Sequence, residues 1–554
     1  MAKTSTGSTP APIPFEQRVR VEAAAKIPPA LDALVLGVYE DGDRVAQGAA
    51  DLPEELRLLV EEIIKLPDFK GKPGAVHNVP GRGTIKRVVL AGLGKRDQAD
   101  ADVFRWAGAA VARLVRGLEI HRCGLVLPGN LAPGTSAPVA ARGLAEGILL
   151  GAHAYEQMKP AVKKPGAAEK KPATGPVLFT IIISEPQALR DSMEPVRAGA
   201  IVGEATNYAR TLASTPGNVM HPGAVVAEAR RMAREFNLKC TVIDAAEAKK
   251  LGMNGLLAVG EASAYPPALV ILEHTGGRGA KTLAVVGKTV TFDTGGISIK
   301  PAADMDAMKY DKCGGMAVLG LMRAVSQLRL PNRVLGVLPI AENAVGGKAY
   351  RPGDILTMAN GKTVEITNTD AEGRLILADA LSYVCQTYQP RAVVDMATLT
   401  GGVIVALGGV YGGLFSNNDE LAQALEKAGQ ASGDWLWRLP LHPRYEPLME
   451  GYHANLQNSG IREAHPVQGG IFLQHFVPAD MPWAHLDIAG VATTKKEDRY
   501  ISKGASGFGV RLLVRLLEDY AHRAGPDNHC DRSDGNCVRG RGQFSHRGNS
   551  HAPV

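Results

Sequence analysis

Eight consecutive residues, Asn368-Thr369-Asp370-Ala371-Glu372-Gly373-Arg374-Leu375, set two acids and an arginine within one short stretch. Before them, 363–367 has apolar Val364 and Ile366 at alternate positions, which predicts a strand. After them, Leu375, Ala378, Leu381 and Val384 recur at three-residue steps, which predicts a helix over 375–388. Residues two apart in an extended segment point to the same side, so Asp370 and Glu372 are expected to face one point, with Arg374 at its edge. Carboxylates that close repel one another unless a proton or a cation lies between them.

A second stretch offers more ligands. Lys288, Asp293, Lys300 and Asp311 fall within 286–315, interleaved with Gly295-Gly296 and Gly314-Gly315. The paired glycines allow a tight backbone path that turns Asp293 inward. Asp311 stands just before a predicted helix, where a carboxylate is comfortable as a cap or as a ligand. Any one of these acids reads most simply as a salt bridge. As a set of four, Asp293, Asp311, Asp370 and Glu372 suit a pair of divalent ions sharing carboxylates. A lysine ligand would have to be neutral, which requires desolvation and a neighbouring cation. Gly287-Lys288-Thr289 imitates the end of a phosphate-binding loop, but Thr282 stands where that motif needs a glycine, and a strand precedes it.

The elements that must hold these residues alternate. Strands are predicted at 34–38, 87–93, 124–127 and 177–184, with helices at 52–66, 101–118 and 139–150. Further on, strands are predicted at 239–244, 269–274, 282–286, 333–340 and 391–395, with helices at 223–236 and 314–328. The fold class is therefore α/β, with two domains, each a mostly parallel or mixed sheet flanked by helices, and the C-terminal one catalytic. The expected division is a flexible arm over 1–25, an N-terminal domain over 26–192, a linking helix over 193–212, a catalytic domain over 213–520 and a disordered tail over 521–554. A basic surface loop is expected at 159–176. Open sheets of this kind carry their chemistry at the C-terminal ends of strands, and both acidic stretches follow predicted strands.

Length and composition agree. A chain of 554 residues with 45% apolar content is long enough for two cores. The formal charge is +6, of which the stretch 156–175 contributes +3 and the tail +2. The remainder is close to neutral, which argues against nucleic acid as a partner. Six scattered cysteines without a CxxC pair fit reduced thiols and a cytoplasmic location. Residues 1–14 have no apolar core of a signal peptide, and no membrane association is expected. The most apolar run, 401–415, is short and glycine-rich and is expected to be a buried segment. His529, Cys530 and Cys537 in the tail do not match the spacing of a closed zinc site.

The stretch 368–375 resembles the signature of the cytosol aminopeptidase family, the leucyl aminopeptidases. Phe292-Asp293-Thr294-Gly295-Gly296, Asp395-Met396-Ala397-Thr398-Leu399-Thr400-Gly401, Trp483-Ala484-His485-Leu486-Asp487-Ile488-Ala489-Gly490 and Lys503-Gly504-Ala505-Ser506-Gly507-Phe508-Gly509 support the resemblance. It is strong across about 200–520 and does not reach the tail. The resemblance implies that Asp293 and Glu372 bridge two divalent ions per subunit. Asp370 would hold one ion, and Lys288 with Asp311 the other. The ions would be Zn or Mn, with Mg or Co as further options. It implies that Lys300 polarises the scissile carbonyl and that Arg374 holds a bicarbonate accepting a proton from the attacking water. Met308, Thr398, Leu399 and Gly401 match positions lining the pocket for the first side chain, which favours leucine-like residues. The substrate's free α-amine on one metal would explain exopeptidase action on peptides. The family implies a homohexamer.

Four departures stand out. Thr289 replaces a usual glycine, Lys312 a usual apolar residue and Asn455 a common aspartate. His465-Pro466-Val467-Gln468 alters the lead-in to Gly469-Gly470. Thr289 and Lys312 bear on metal affinity and rate. They also motivate a rival reading, an inactive scaffold, beside a second one, a DNA-binding regulator retaining the fold. His485 is expected to be structural, because the acid cluster already supplies the chemistry.

Overall fold

The computed structural model describes residues 19–41, 52, 54–65, 69–156, 158, 176–277 and 279–523. The first sheet contains β1 (Val19–Ala24), β2 (Ala33–Tyr39), β3 (Val76–Pro80), β4 (Arg87–Gly94), β5 (Arg122–Val126) and β6 (Val177–Ile182), in the order β1-β6-β5-β2-β4-β3. All pairings are parallel except β3 on β4. All seven residues of β2 are buried. Ala33, Val35 and Tyr39 enter one core, and Leu34, Leu36 and Val38 enter the other. That is the alternation of a strand covered on both faces, and it explains the continuous apolar run.

The arm expected over 1–25 is corrected in part. Residues 19–24 form β1, which adds parallel to β6 from Val19↔Val177 to Ala24↔Ile182. Val19, Val21 and Ala23 alternate toward the core, a period-two signal masked by the charged residues between them. Residues 1–18, residues 159–175 of the basic loop and residues 524–554 of the tail lie outside the described residues. The helix Val510–Arg523 takes in the first three positions assigned to that tail.

A 29-residue helix, Pro186–Ser214, runs from the first domain into the second. It starts before the expected 193 because the Glu185 side chain caps Gln187 and Ala188. Asn207 donates to Leu149 O at 2.6 Å, and Arg210 donates to Leu150 O at 3.2 Å and to Ser506 O at 2.8 Å. One helix thus holds backbone from both domains.

The second domain adds, in chain order, β7 (Lys239–Ile243), β8 (Ala268–His274), β9 (Thr282–Gly287), β10 (Thr289–Asp293), β11 (Arg333–Asn343), β12 (Ile355–Thr357), β13 (Thr363–Glu365), β14 (Ala392–Ala397), β15 (Gly412–Ser416), β16 (Leu436–Arg438), β17 (Leu456–Gln457) and β18 (Trp483–Asp487). The large sheet has the order β16-β15-β18-β14-β9-β11-β8-β7, with β10 also on β11. Its centre, β11-β9-β14-β18, is parallel, while β8 on β11, β7 on β8 and β15 on β18 are antiparallel. Leu283 and Val285 face one core and Ala284 and Val286 the other, so this sheet too is covered on both sides.

Two local expectations change. The strand before the acidic octet is only β13, and it belongs to a separate three-stranded sheet, β12-β13-β17. Asp370 and Glu372 are also not extended. Residues 369–370 form a turn, and Glu372 is helical, with φ −77° and ψ −35°, at the N-terminal boundary of the helix Gly373–Tyr388, where its side chain makes no capping hydrogen bond. The apolar run 401–415 is corrected as well. Gly412–Ser416 is buried in the sheet, but the helix Gly401–Leu407 buries only Val403, and Val405 is 89% exposed. A hydropathy sum cannot tell which side of a short helix is covered.

Candidate metal and catalytic site

Parallel strands deliver the first half of the site. Lys288 lies in the break between β9 and β10, where its N–H donates to Met396 O of β14 and its C=O accepts from Gly315 N. Asp293 ends β10 beside Asn343, which ends β11. Gly295 (φ +87°) and Gly296 (φ +66°) then reverse the chain in a region that L-residues with a Cβ rarely adopt, and this brings Lys300 back over Asp293. The second half comes from the turn into the helix Gly373–Tyr388.

The Lys288 ammonium is almost fully buried. It lies 2.8 Å from Asp311 Oδ2 and 2.7 Å from Glu372 Oε1, and it donates to Thr398 O at 2.9 Å. Lys300 Nζ lies 2.8 Å from Asp293 Oδ2 and also pairs with Asp370. Asp293 Oδ1 accepts from Gly295 N at 2.9 Å and from Asn343 Nδ2 at 2.8 Å. Carboxylate oxygens of Asp293, Asp370 and Glu372 all lie within 4.8 Å of one another.

Burial opposes ionisation of Asp293, Asp311 and Glu372. Burial, then the Glu372 charge, pushes the Asp293 carboxyl up to about 6. Burial raises Asp311 and Glu372 as well. Burial alone would lower Lys288, but the carboxylates of Asp311, Glu372 and Asp293 outweigh it and push it up. Lys300 is held up in the same way by Asp293, Glu372 and Asp370. The acids therefore need positive charge among them. Asp311 Oδ2, Asp370 Oδ1 and Glu372 Oε1 are buried and accept no hydrogen bond of ordinary geometry; only the ion pairs to lysine satisfy them. Clustered carboxylate oxygens without other partners fit divalent cations.

Of the remaining expected residues, Thr398 contacts Lys288 and Asp311 directly, and Arg374 feels the Glu372 charge. Arg374 is buried. Its Nη1 donates to Asn458 O at 2.7 Å, its Nε has no partner and burial pushes its guanidinium down to about 10. An unpaired, buried guanidinium N–H suits a small anion. Met308 is half-buried on the 3-10 turn Met305–Tyr310. The Thr398 hydroxyl donates to Asp311 Oδ1 at 2.7 Å, so Thr398 fixes the orientation of that carboxylate. Leu399 N donates to Asp487 Oδ1 at 3.2 Å. Gly401 is exposed, and a Cβ there would meet no atom within 4 Å.

The departures are accommodated. Thr289 Oγ1 donates to Gly287 O at 2.8 Å and occupies the space a Cβ on Gly315 would need. Lys312 is buried and donates to Thr215 O at 2.9 Å and to Lys309 O, and burial pushes it down to about 7. Asn455 Oδ1 accepts from Thr363 N at 2.9 Å, and Gln468 donates to Ile461 O at 2.8 Å. His485 is fully buried, with Nδ1 2.6 Å from Asp395 Oδ1 on the neighbouring strand and its ring stacked near Phe415. That is a core pairing. Sequence reasoning missed Asn343, Asn458 and Tyr350, whose OH donates to Thr369 O at 2.7 Å. A lone amide or phenol carries no spacing signal.

Gly373 has a steric reason. A Cβ there would stand 2.6 Å from both Cε and Nζ of Lys288. Gly373→Ala is expected to push the ammonium off Glu372, lowering stability by about 1–3 kcal/mol and weakening Mn²⁺ binding. Calorimetry of the variant checks this; an unchanged melting temperature and unchanged affinity would mean that Lys288 can swing aside freely.

Residues 207–514 match the cytosol aminopeptidase family, catalytic domain, and residues 35–161 match the N-terminal domain of that family. A probable cytosol aminopeptidase of Roseiflexus castenholzii is 40% identical over 507 residues, 91% of this chain and 99% of its own length. One from Syntrophotalea carbinolica is 40% identical over 492 residues, 88% of this chain and 97% of its own. Among solved structures, the bottromycin maturation enzyme BotP in complex with Mn is similar, with a TM-score of 0.77 and 34% identity, covering 89% of this chain and 100% of that one.

Proposed function

The chain belongs to the cytosol aminopeptidase family, and from that membership we propose that it removes leucine-like N-terminal residues from peptides, using two divalent ions per subunit. It is a metal-dependent aminopeptidase, a hydrolase acting on peptide substrates. The observation that carries the finer reading is the close approach of Asp293, Asp370 and Glu372, within 4.8 Å, beside Lys288 and Lys300.

In this reading Asp293 and Glu372 would be shared by the two ions, Asp370 would serve one, and Lys288 with Asp311 would serve the other; Zn or Mn would suit that donor set. When bound, the ions supply Lewis-acid chemistry, acidifying a water and polarising the first carbonyl. Lys288 must give up a proton to act as a ligand, so metal uptake is coupled to proton release. The Lys300 ammonium is partly exposed and stays charged at neutral pH, which suits it to stabilise the oxyanion of the attacked amide. Arg374, with an unpaired buried Nε, would hold a bicarbonate, which would supply a proton acceptor. Met308, Thr398, Leu399 and Gly401 line the first side-chain pocket, and the open space at Gly401 supports room for a branched residue.

The catalytic domain is taken as 213–520, following the linking helix over 193–212. Exposed Ile404, Val405 and Val410 support burial in a homohexamer. Among the described residues no helix is long and apolar enough to cross a membrane, and the four of the six cysteines that fall there are free, which supports a cytoplasmic setting.

The test is hydrolysis of Leu-p-nitroanilide by chelator-treated protein with Mn²⁺ or Zn²⁺ restored. Turnover is expected only with metal, and the N-acetylated substrate is expected to be inert. Equal cleavage of the blocked substrate would remove the α-amine requirement. No turnover with any metal would favour the inactive scaffold.

A further inference from the structure

We propose that Asn458 is a positioning residue of the site, holding the turn that bears Asp370 and Glu372 together with the Arg374 guanidinium as one piece. The inference rests on the site assignment above. Asn458 follows β17 and is fully buried. Its carboxamide has one acceptor oxygen and two donor hydrogens, and all are directed at the acidic octet and its lead-in. Oδ1 accepts from Thr367 N at 2.8 Å, from Asn368 N at 3.2 Å and from Thr367 Oγ1 at 3.2 Å. Nδ2 donates to Asn368 O at 2.6 Å and to Ala371 O at 3.4 Å. The backbone joins in: Asn458 N donates to Glu365 O at 2.9 Å, and Asn458 O accepts from Arg374 Nη1 at 2.7 Å. Among the described residues, this last bond is the one hydrogen bond made by the Arg374 guanidinium.

The opposite flank of the turn is held differently. Thr369 Oγ1 donates to Gly295 O at 2.6 Å and accepts from Ser298 N at 2.8 Å, and Thr369 O accepts from Asn343 and Tyr350. Thr369 is therefore tied to the loop of Asp293, whereas Asn368 and Ala371 are tied to Asn458. The turn is gripped from two sides, and the grip from 458 also reaches Arg374. Releasing it frees Asn368, two residues before Asp370, and Ala371, which lies between Asp370 and Glu372. Residues that orient ligands in this way typically carry a 10–100-fold effect on metal affinity or activity.

The experiment compares wild type, Asn458→Ala, Asn458→Asp and Asp370→Ala. Asn458→Asp keeps the volume and the acceptor but lacks both donors; Asn458→Ser replaces Asn458→Ala if that variant shows no cooperative melt. Mn²⁺ affinity is measured by calorimetry without substrate, and kcat and KM with Leu-p-nitroanilide. Both Asn458 variants are expected to bind Mn²⁺ about tenfold more weakly or worse and to lose kcat by about 10–100-fold, with KM nearly unchanged. Wild-type affinity and kcat in folded Asn458 variants, with only a lowered melting temperature, would overturn the inference. Asp370→Ala separates the two ideas. If it weakens Mn²⁺ binding while the Asn458 variants do not, the site stands and the Asn458 role falls. If Asp370→Ala leaves affinity intact, the site assignment itself falls, and this inference falls with it.

Discussion

Asp370→Ala is expected to lose at least about 10³-fold in kcat, equivalent to about 4 kcal/mol at 1.36 kcal/mol per tenfold, and to carry less bound metal. The Asp370 carboxylate is the most exposed of the clustered acids, at 34%, yet its Oδ1 is buried and answered only by Lys300. Removing it takes one of three converging carboxylates away from a set that spans 4.8 Å. Lys300 would then be left to Asp293 alone, and an ammonium drawn tightly onto Asp293 competes with a cation for the same oxygen. Metal content of the purified variant, measured together with turnover, distinguishes lost metal from misplaced metal. Full activity in this variant would contradict the assignment of the site.

Lys300→Met is expected to behave differently: kcat falls about 10²–10³-fold while metal binding is kept or strengthened. Methionine has a similar length without the charge. The Lys300 ammonium lies at the rim, 20% exposed, so it can reach a substrate oxygen as well as Asp293 and Asp370. Its charge persists at neutral pH because the surrounding carboxylates outweigh its desolvation. Removing that charge leaves the acids more negative, which favours a divalent cation, and in the proposed role it removes the donor that would face the oxyanion. A group acting mainly in the transition state lowers kcat and kcat/KM together. Metal content and a kcat/KM comparison check this. Parallel loss of metal and activity would make Lys300 a structural counter-ion only.

The two variants probe what the chain's local pattern states most clearly. Octet 368–375, the Asp293 turn and the lysines on either side of that turn are all identifiable from residue type and short spacing, because a strand-to-helix switch and a Gly-Gly reversal are local events. The β2 and β9 runs read as strands from their apolar residues alone, and the structure shows that alternate residues supply two separate cores. The β1 segment was harder, since its apolar residues alternate with Arg20 and Glu22, and only the partner β6 explains why it is ordered.

Residue order alone therefore determined the chemistry available: which acids, lysines and arginine exist, and which turns and helices begin beside them. Tertiary structure decided how they meet. Lys288 reaches Glu372 only because β9, β14 and the helix Gly373–Tyr388 converge and Gly373 leaves room. Asn343 and Asn458 meet partners 50 and about 90 positions away, and Thr398 meets Asp311 across 87. Such contacts have no period to read, because hydrogen bonds and burial act through distance in space. Even the approach of Asp370 and Glu372 is made by a turn and the start of a helix, a geometry that the packing of the surrounding loops imposes on the octet.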